Sequence, residues 1–154
     1  MHEHINSIRV FMGKAGQETY HTPTVPNPTV AKLRASLILE ECLETIEALG
    51  FEVKFSNFDG ELYLKSTSKK PDLVEIADGI ADISVVSHGT AIACGIDMIP
   101  IIDLVDKSNL AKFEQGGYKR DDGKWVKPPH WIPPDIEGEL KKQTMEFLNG
   151  SKWL

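Results

Sequence analysis

Residues 73–96, LVEIADGIADISVVSHGTAIACGI, constrain this chain more than any other stretch. They read as one long helix. At 100° per residue, Glu75, Asp78 and Asp82 fall within an arc of roughly 60°. Nearly everything around that stripe is apolar or small: Leu73, Val74, Ile76, Ala77, Ile80, Ala81, Ile83, Val85, Val86. A helix apolar nearly all round is a buried helix. Three carboxylates on one face of such a helix are costly unless something cationic meets them.

A second helix poses the same problem. Asn27 is a good N-cap, Pro28 suits the first helical position, and Gly50 is a natural stop. Between them Val30, Leu33, Leu37, Ile38, Leu39, Cys42, Leu43, Ile46 and Leu49 spread around the cylinder. Glu40, Glu41 and Glu44 project to the side of Leu33 and Leu37, not onto a separate solvated face. Residues 51–66, FEVKFSNFDGELYLKS, alternate about Asp59-Gly60 and predict a β-hairpin. A hairpin connection lets the two long helices pack antiparallel, with the two acid groups facing each other.

The remaining elements are simpler. Residues 2–14 predict a short helix from Ile5, Ile8, Phe11 and Met12. Pro23, Pro26 and Pro28 make the next stretch extended. Gly95 ends the central helix, and Asp97 caps a further one that tolerates Pro100 in its first turn. A loop follows with a second hairpin turn at Asp122-Gly123, and Asp135 caps a last helix ending at Gly150. The expectation is an all-α bundle of four or five helices in a single domain, 1–154, with one small β-hairpin insertion and a C-terminal loop.

Net charge is −6, which argues against a nucleic-acid polymer as partner. Charges interrupt every apolar run, so neither a signal peptide nor a membrane span is expected, and the compartment expected is the cytoplasm. Cys42 and Cys94, both in apolar helical contexts, read as reduced thiols.

Two like charges at ~4 Å repel by about 4 kcal/mol at an effective dielectric of 20. Five or six convergent carboxylates therefore raise their pKa values or bind divalent cations. Oxygen-only donors favour a hard ion, Mg²⁺ or Mn²⁺. Mg²⁺ keeps waters and accepts substrate phosphates, which suits phosphate chemistry.

E-E-x-x-E at Glu40, Glu41 and Glu44, followed by E-x-x-D at Glu75 and Asp78, resembles the all-α nucleoside triphosphate pyrophosphohydrolases. These include MazG-like enzymes, dimeric dUTPases and phosphoribosyl-ATP pyrophosphohydrolase. LRASLILEE, the G-T-A and G-I-D elements after the second motif, DKSNLAKF and DDGKWVKPPHWIPPDI extend the resemblance over most of the chain. The hairpin at 51–66 matches least. The resemblance implies a bundle completed as a homodimer or homotetramer, and cleavage of a nucleoside triphosphate to nucleoside monophosphate and pyrophosphate. It implies that Glu41, Glu44, Glu75 and Asp78 hold Mg²⁺. Glu40 is implied to activate the attacking water or bind a further Mg²⁺. Asp82 is implied to touch the nucleoside or hold a water. Lys107, Asn109 and Lys112 match a phosphate-contacting segment. Lys127 joins them because an acid-lined site needs positive charge on its rim.

Other residues carry blander expectations. His2 and His4 are expected to fray with the terminus. His88 is expected to pack, and Trp125, Trp131 and Tyr118 to close the loop rather than stack on a base. His21 and His130 sit in loops, and Arg34 suits a structural ion pair. Hydrolysis of phosphoribosyl-ATP and a non-catalytic dimerisation module are the alternatives. A di-iron carboxylate bundle needs Glu-x-x-His, and Val85 stands where that glutamate would be.

Overall fold

The computed structural model describes residues 2–56 and 60–150. In order, these form α1 (His2–Lys14), α2 (Pro28–Ala48), β1 (Phe51–Phe55), β2 (Leu62–Ser66), α3 (Leu73–Ala93) and α4 (Met98–Leu110). A 3-10 turn (Ala111–Phe113), β3 (Tyr118–Lys119), β4 (Trp125–Val126) and α5 (Ile136–Leu148) follow among the described residues. The fold is mostly α, with two small antiparallel hairpins. By packing it divides into two compact units: Met1–Thr19 with Val25–Ala93, and Tyr20–Thr24 with Cys94–Leu154.

In the first unit the sequence sets the helix ends. Asn27 Oδ1 accepts the N–H groups of Thr29 and Val30, and Pro28 opens α2. Asp72 Oδ1 does the same for Val74 and Glu75 at the start of α3. The Asp72 N–H also donates to Ala48 O, at 3.1 Å, which ties the start of α3 to the end of α2. β1 pairs with β2 with Phe51 opposite Ser66 and Phe55 opposite Leu62. Of the expected Asp59-Gly60 turn, Asp59 lies outside the described residues.

α2 and α3 pack antiparallel, as a hairpin connection allows. Gly79 of α3 lies on Thr45 of α2; ten residues later on α3, Gly89 lies on Arg34, eleven residues earlier on α2. α1 closes the far end, where Ile8, Met12, Ile92 and Ala93 form the core, flanked by Ile5, Val30 and Val85.

Three expectations need correction. The central helix stops at Ala93, not at residue 96, because Gly95 takes φ +68. It is not buried along its length either: Leu73, Val74 and Ile80 are 79%, 79% and 59% exposed. Leu33, Leu39 and Leu43 of α2 are exposed as well. Apolar periodicity reports that a surface wants cover, not that this chain supplies it. Nor does His4 fray: it lies within α1, its Nε2 is 3.2 Å from the Ser84 hydroxyl, and its ring meets His88 edge-on.

In the second unit Asp97 caps α4 by accepting from the Ile99 N–H. Gln143 of α5 bonds both the N–H and the carbonyl of Asp97, at 3.0 and 2.9 Å, strapping α5 to the start of α4. Asp135 caps α5 through the Gly138 N–H. Among the described residues no single helix is long and apolar enough to cross a membrane. Cys42 and Cys94 are half-buried thiols, not joined in a disulfide.

Candidate active site

The acid motifs flank a tight contact between α2 and α3. At Gly79 an added Cβ would overlap Thr45 Oγ1 and stand 3.2 Å from Thr45 Cβ and 3.3 Å from its Cα. Thr45 is buried and turns its hydroxyl back onto Glu41 O at 2.8 Å. This bare contact lets the backbones approach, and the acids flank it. Glu41 and Glu44 lie one turn and one residue before Thr45; Glu75, Asp78 and Asp82 surround Gly79.

Beside the contact opens a cleft of about 320 Å³, lined by Glu44, Glu47, Lys69, Glu75, Asp78 and Asp82 along with Ala48 and Gly79. The two helices thus bring Glu44 and Asp78 to one place. Both are exposed to solvent there. Glu41 and Glu40 do not line the cleft, yet Glu41 feels it. Partial burial and the charges of Asp82, Glu44, Glu40 and Asp78 all push its carboxyl above the usual glutamate range.

Lys69 enters the cleft as its cation. Its ammonium stands 2.9 Å from Glu75 and 3.6 Å from Glu47. The hydrogen bond to Glu75, aided by the nearby negative charges, holds it above the usual lysine value. Neither Lys69 nor Glu47 was expected here. Glu47 was open to detection, being three residues beyond Glu44 on the same helical face. Lys69 was not, because only the path of the linker from β2 to α3 decides where it lands.

The donor set is oxygen only, the chemistry a hard divalent ion requires. Among the described residues no three His, Cys, Asp or Glu side chains are drawn together as a ready-made cation site. The acids share the cleft without a common centre, and Glu75 is engaged by Lys69. Glu44, Glu75 and Asp78 are exposed and line one cleft with half-buried Asp82, so the test rests on the chemistry of the donor set. On that test the residues fit the ion.

The basic residues expected at the site lie in the second unit. Lys112 Nζ donates to Asn109 Oδ1 at 2.6 Å. Lys127 Nζ sits 3.7 Å and Lys112 Nζ 5.8 Å from the centre of the Trp131 ring, a cation–π arrangement. Three of the four expected residues therefore form one local cluster; Lys107 is exposed on α4. The two tryptophans close the loop as expected: Trp131 Nε1 donates to Ser108 O at 2.8 Å, and Trp125 Nε1 donates to Lys112 O, whereas Tyr118 is exposed. His130 lies 3.3 Å from Glu114, and His21 stacks on Phe147. His88 Nδ1 bonds Ser84 O at 2.8 Å, the packing role expected of it. Arg34 is buried against Gly89 and donates to Gln17 at 2.6 Å.

Comparison with protein families matches residues 8–109 to phosphoribosyl-ATP pyrophosphohydrolase. The chain belongs to that family. The match spans both acid motifs, Lys69, Lys107 and Asn109, and ends before Lys112 and Lys127. A search of curated proteins finds no match. The family lies within the MazG-like all-α pyrophosphohydrolases, which fits the observed helices. The chain is thus a hydrolase acting on acid anhydrides, a pyrophosphohydrolase of a nucleotide.

Proposed function

We propose that this protein is an Mg²⁺-dependent pyrophosphohydrolase that splits the α–β anhydride of a nucleoside triphosphate. The observation that carries the reading is the shared cleft: Glu44 from α2 and Glu75, Asp78 and Asp82 from α3 line it together. Glu41, Glu44, Glu75 and Asp78 would hold Mg²⁺, or Mn²⁺ in its place. Mg²⁺ when bound supplies charge neutralisation for the anhydride and the departing pyrophosphate. Glu40, next to Glu41 on α2 though outside the cleft lining, is assigned to take the proton of the attacking water. The water oxygen bonds to the α-phosphorus, the bond to the bridging oxygen breaks, and monophosphate and pyrophosphate leave.

Asp82 is assigned to the nucleoside side of the cleft. Lys107, Asn109, Lys112 and Lys127 are assigned to the phosphates; the bond of Lys112 to Asn109 and the place of Lys112 and Lys127 over Trp131 support treating the last three as one group. A second copy of the chain is the proposed cover for Leu39, Leu73, Val74 and Ile80, as large exposed apolar surfaces mark interaction sites.

The family match favours a second reading, phosphoribosyl-ATP as the substrate, since that molecule carries a triphosphate of the same kind. Pyrophosphate release with Mg²⁺, measured across nucleoside triphosphates and phosphoribosyl-ATP, separates the two. Glu44→Gln is expected to lower the rate by at least about tenfold. A rate within a factor of about two of wild type would remove Glu44 from the site.

A further inference from the structure

The chain places one of its own cations in the acid cleft, and does so with some care. Lys69 Nζ bridges the two helices through Glu75 at 2.9 Å and Glu47 at 3.6 Å. The linker behind it is tethered. The Thr67 N–H and hydroxyl both donate to Gly50 O, at 2.9 and 3.1 Å, and the Lys69 N–H donates to the Thr67 hydroxyl at 3.2 Å. Gly50, at φ +88, lets the linker lie close: an added Cβ would stand 3.0 Å from Lys69 O. An exposed ion pair by itself contributes little stability. The tether's clearer consequence is positional. It fixes the root of a long, flexible stem at a wall that two clefts share, since Glu47 and Lys69 also line a neighbouring cleft of about 420 Å³ with Leu43, Phe51 and Val53.

Glu75 cannot serve Lys69 and a divalent cation at full strength at once. We propose that Lys69 is the resident counter-ion of the cleft, ceding Glu75 when a divalent cation loads and then pairing with the phosphate chain of the nucleotide. This rests on the Mg²⁺ pyrophosphohydrolase reading above. A lysine ammonium, a compact charge with three donors, suits both partners in turn. Its removal therefore acts on the two ligands with opposite sign, which a merely structural lysine would not do.

The test is calorimetry on the full chain and on Lys69→Met, with Mn²⁺ alone and then with inorganic pyrophosphate at saturating Mg²⁺. Lys69→Met is expected to bind Mn²⁺ about two- to fivefold more tightly, because a competing cation is gone. It is expected to bind pyrophosphate about tenfold more weakly, and Lys69→Arg to restore most of that loss. Damage to the fold would weaken both. Any other combination in Lys69→Met, including two unchanged affinities, overturns the proposal. Wild-type protein that binds no Mn²⁺ would overturn the Mg²⁺ reading and this inference with it; wild-type protein that binds Mn²⁺ while the variant behaves identically overturns the role of Lys69 alone.

Discussion

Gly79→Ala sets two known effects against each other. Alanine in a helix interior gains up to about 1 kcal/mol over glycine. Here the new methyl would overlap Thr45 Oγ1 and stand 3.2 and 3.3 Å from Thr45 Cβ and Cα. Rotating Thr45 moves its hydroxyl away but breaks the 2.8 Å bond to Glu41 O. No rotation moves Cα, so the helices must separate by a few tenths of an ångström. Overpacking of this kind costs about 1–3 kcal/mol. The net expectation is a loss of about 1–2 kcal/mol, or a fall in Tm of about 3–6 °C for a chain of this length. Thermal unfolding by circular dichroism measures it. Thr45→Ala added to Gly79→Ala should recover part of the loss, since the overlapping hydroxyl is then gone. A Tm that rises by 2–4 °C in Gly79→Ala alone would mean that helix propensity wins. The close approach that brings the acids together would then be refuted.

Two further outcomes follow from the same geometry. Burial and neighbouring carboxylates raise the pKa of Glu41 in the folded state, so the native protein binds its proton more tightly than the unfolded chain does. The contribution of Glu41 to stability without metal should therefore fall as pH rises from about 4.5 through that raised value, opposite in sign to that of the lysine-paired Glu52. Glu41→Gln should match wild type below this window and exceed it above, by a margin reduced by solvent screening; a variant-minus-wild-type difference in Tm that is the same at pH 4 and pH 7.5 would contradict this. Ile80→Glu places a charge on the exposed apolar face, and should shift the mass measured by light scattering from oligomer to monomer. An unchanged mass would remove that face from the proposed interface.

Much of the fold was legible because the signals are local. Asn27, Asp97 and Asp135 each cap the helix that follows them, and each reads from a handful of neighbours. The convergence of Glu44 with Asp78 was legible too, since three- and four-residue spacing fixes a face and a hairpin link favours antiparallel helices. What escaped depends on distance along the chain. His4 meets Ser84 eighty positions away, and no pattern near His4 announces it. Lys69 reaches the cleft from a linker that Thr67 and Gly50 tether, a long-range feature, whereas Lys127 was expected to supply the positive charge. Exposure of Leu73, Val74 and Ile80 escaped because periodicity is blind to which molecule provides the cover.

The pairing of α2 and α3 acids around one divalent ion is tested most directly by Mn²⁺ titration followed by electron paramagnetic resonance, on wild type, Glu44→Gln, Asp78→Asn and the double variant. If the two side chains serve one ion, each single substitution should remove most of the tight binding and the double variant should lose little more. Independent losses that simply add, or Mn²⁺ binding that survives in all three variants, would contradict the shared site.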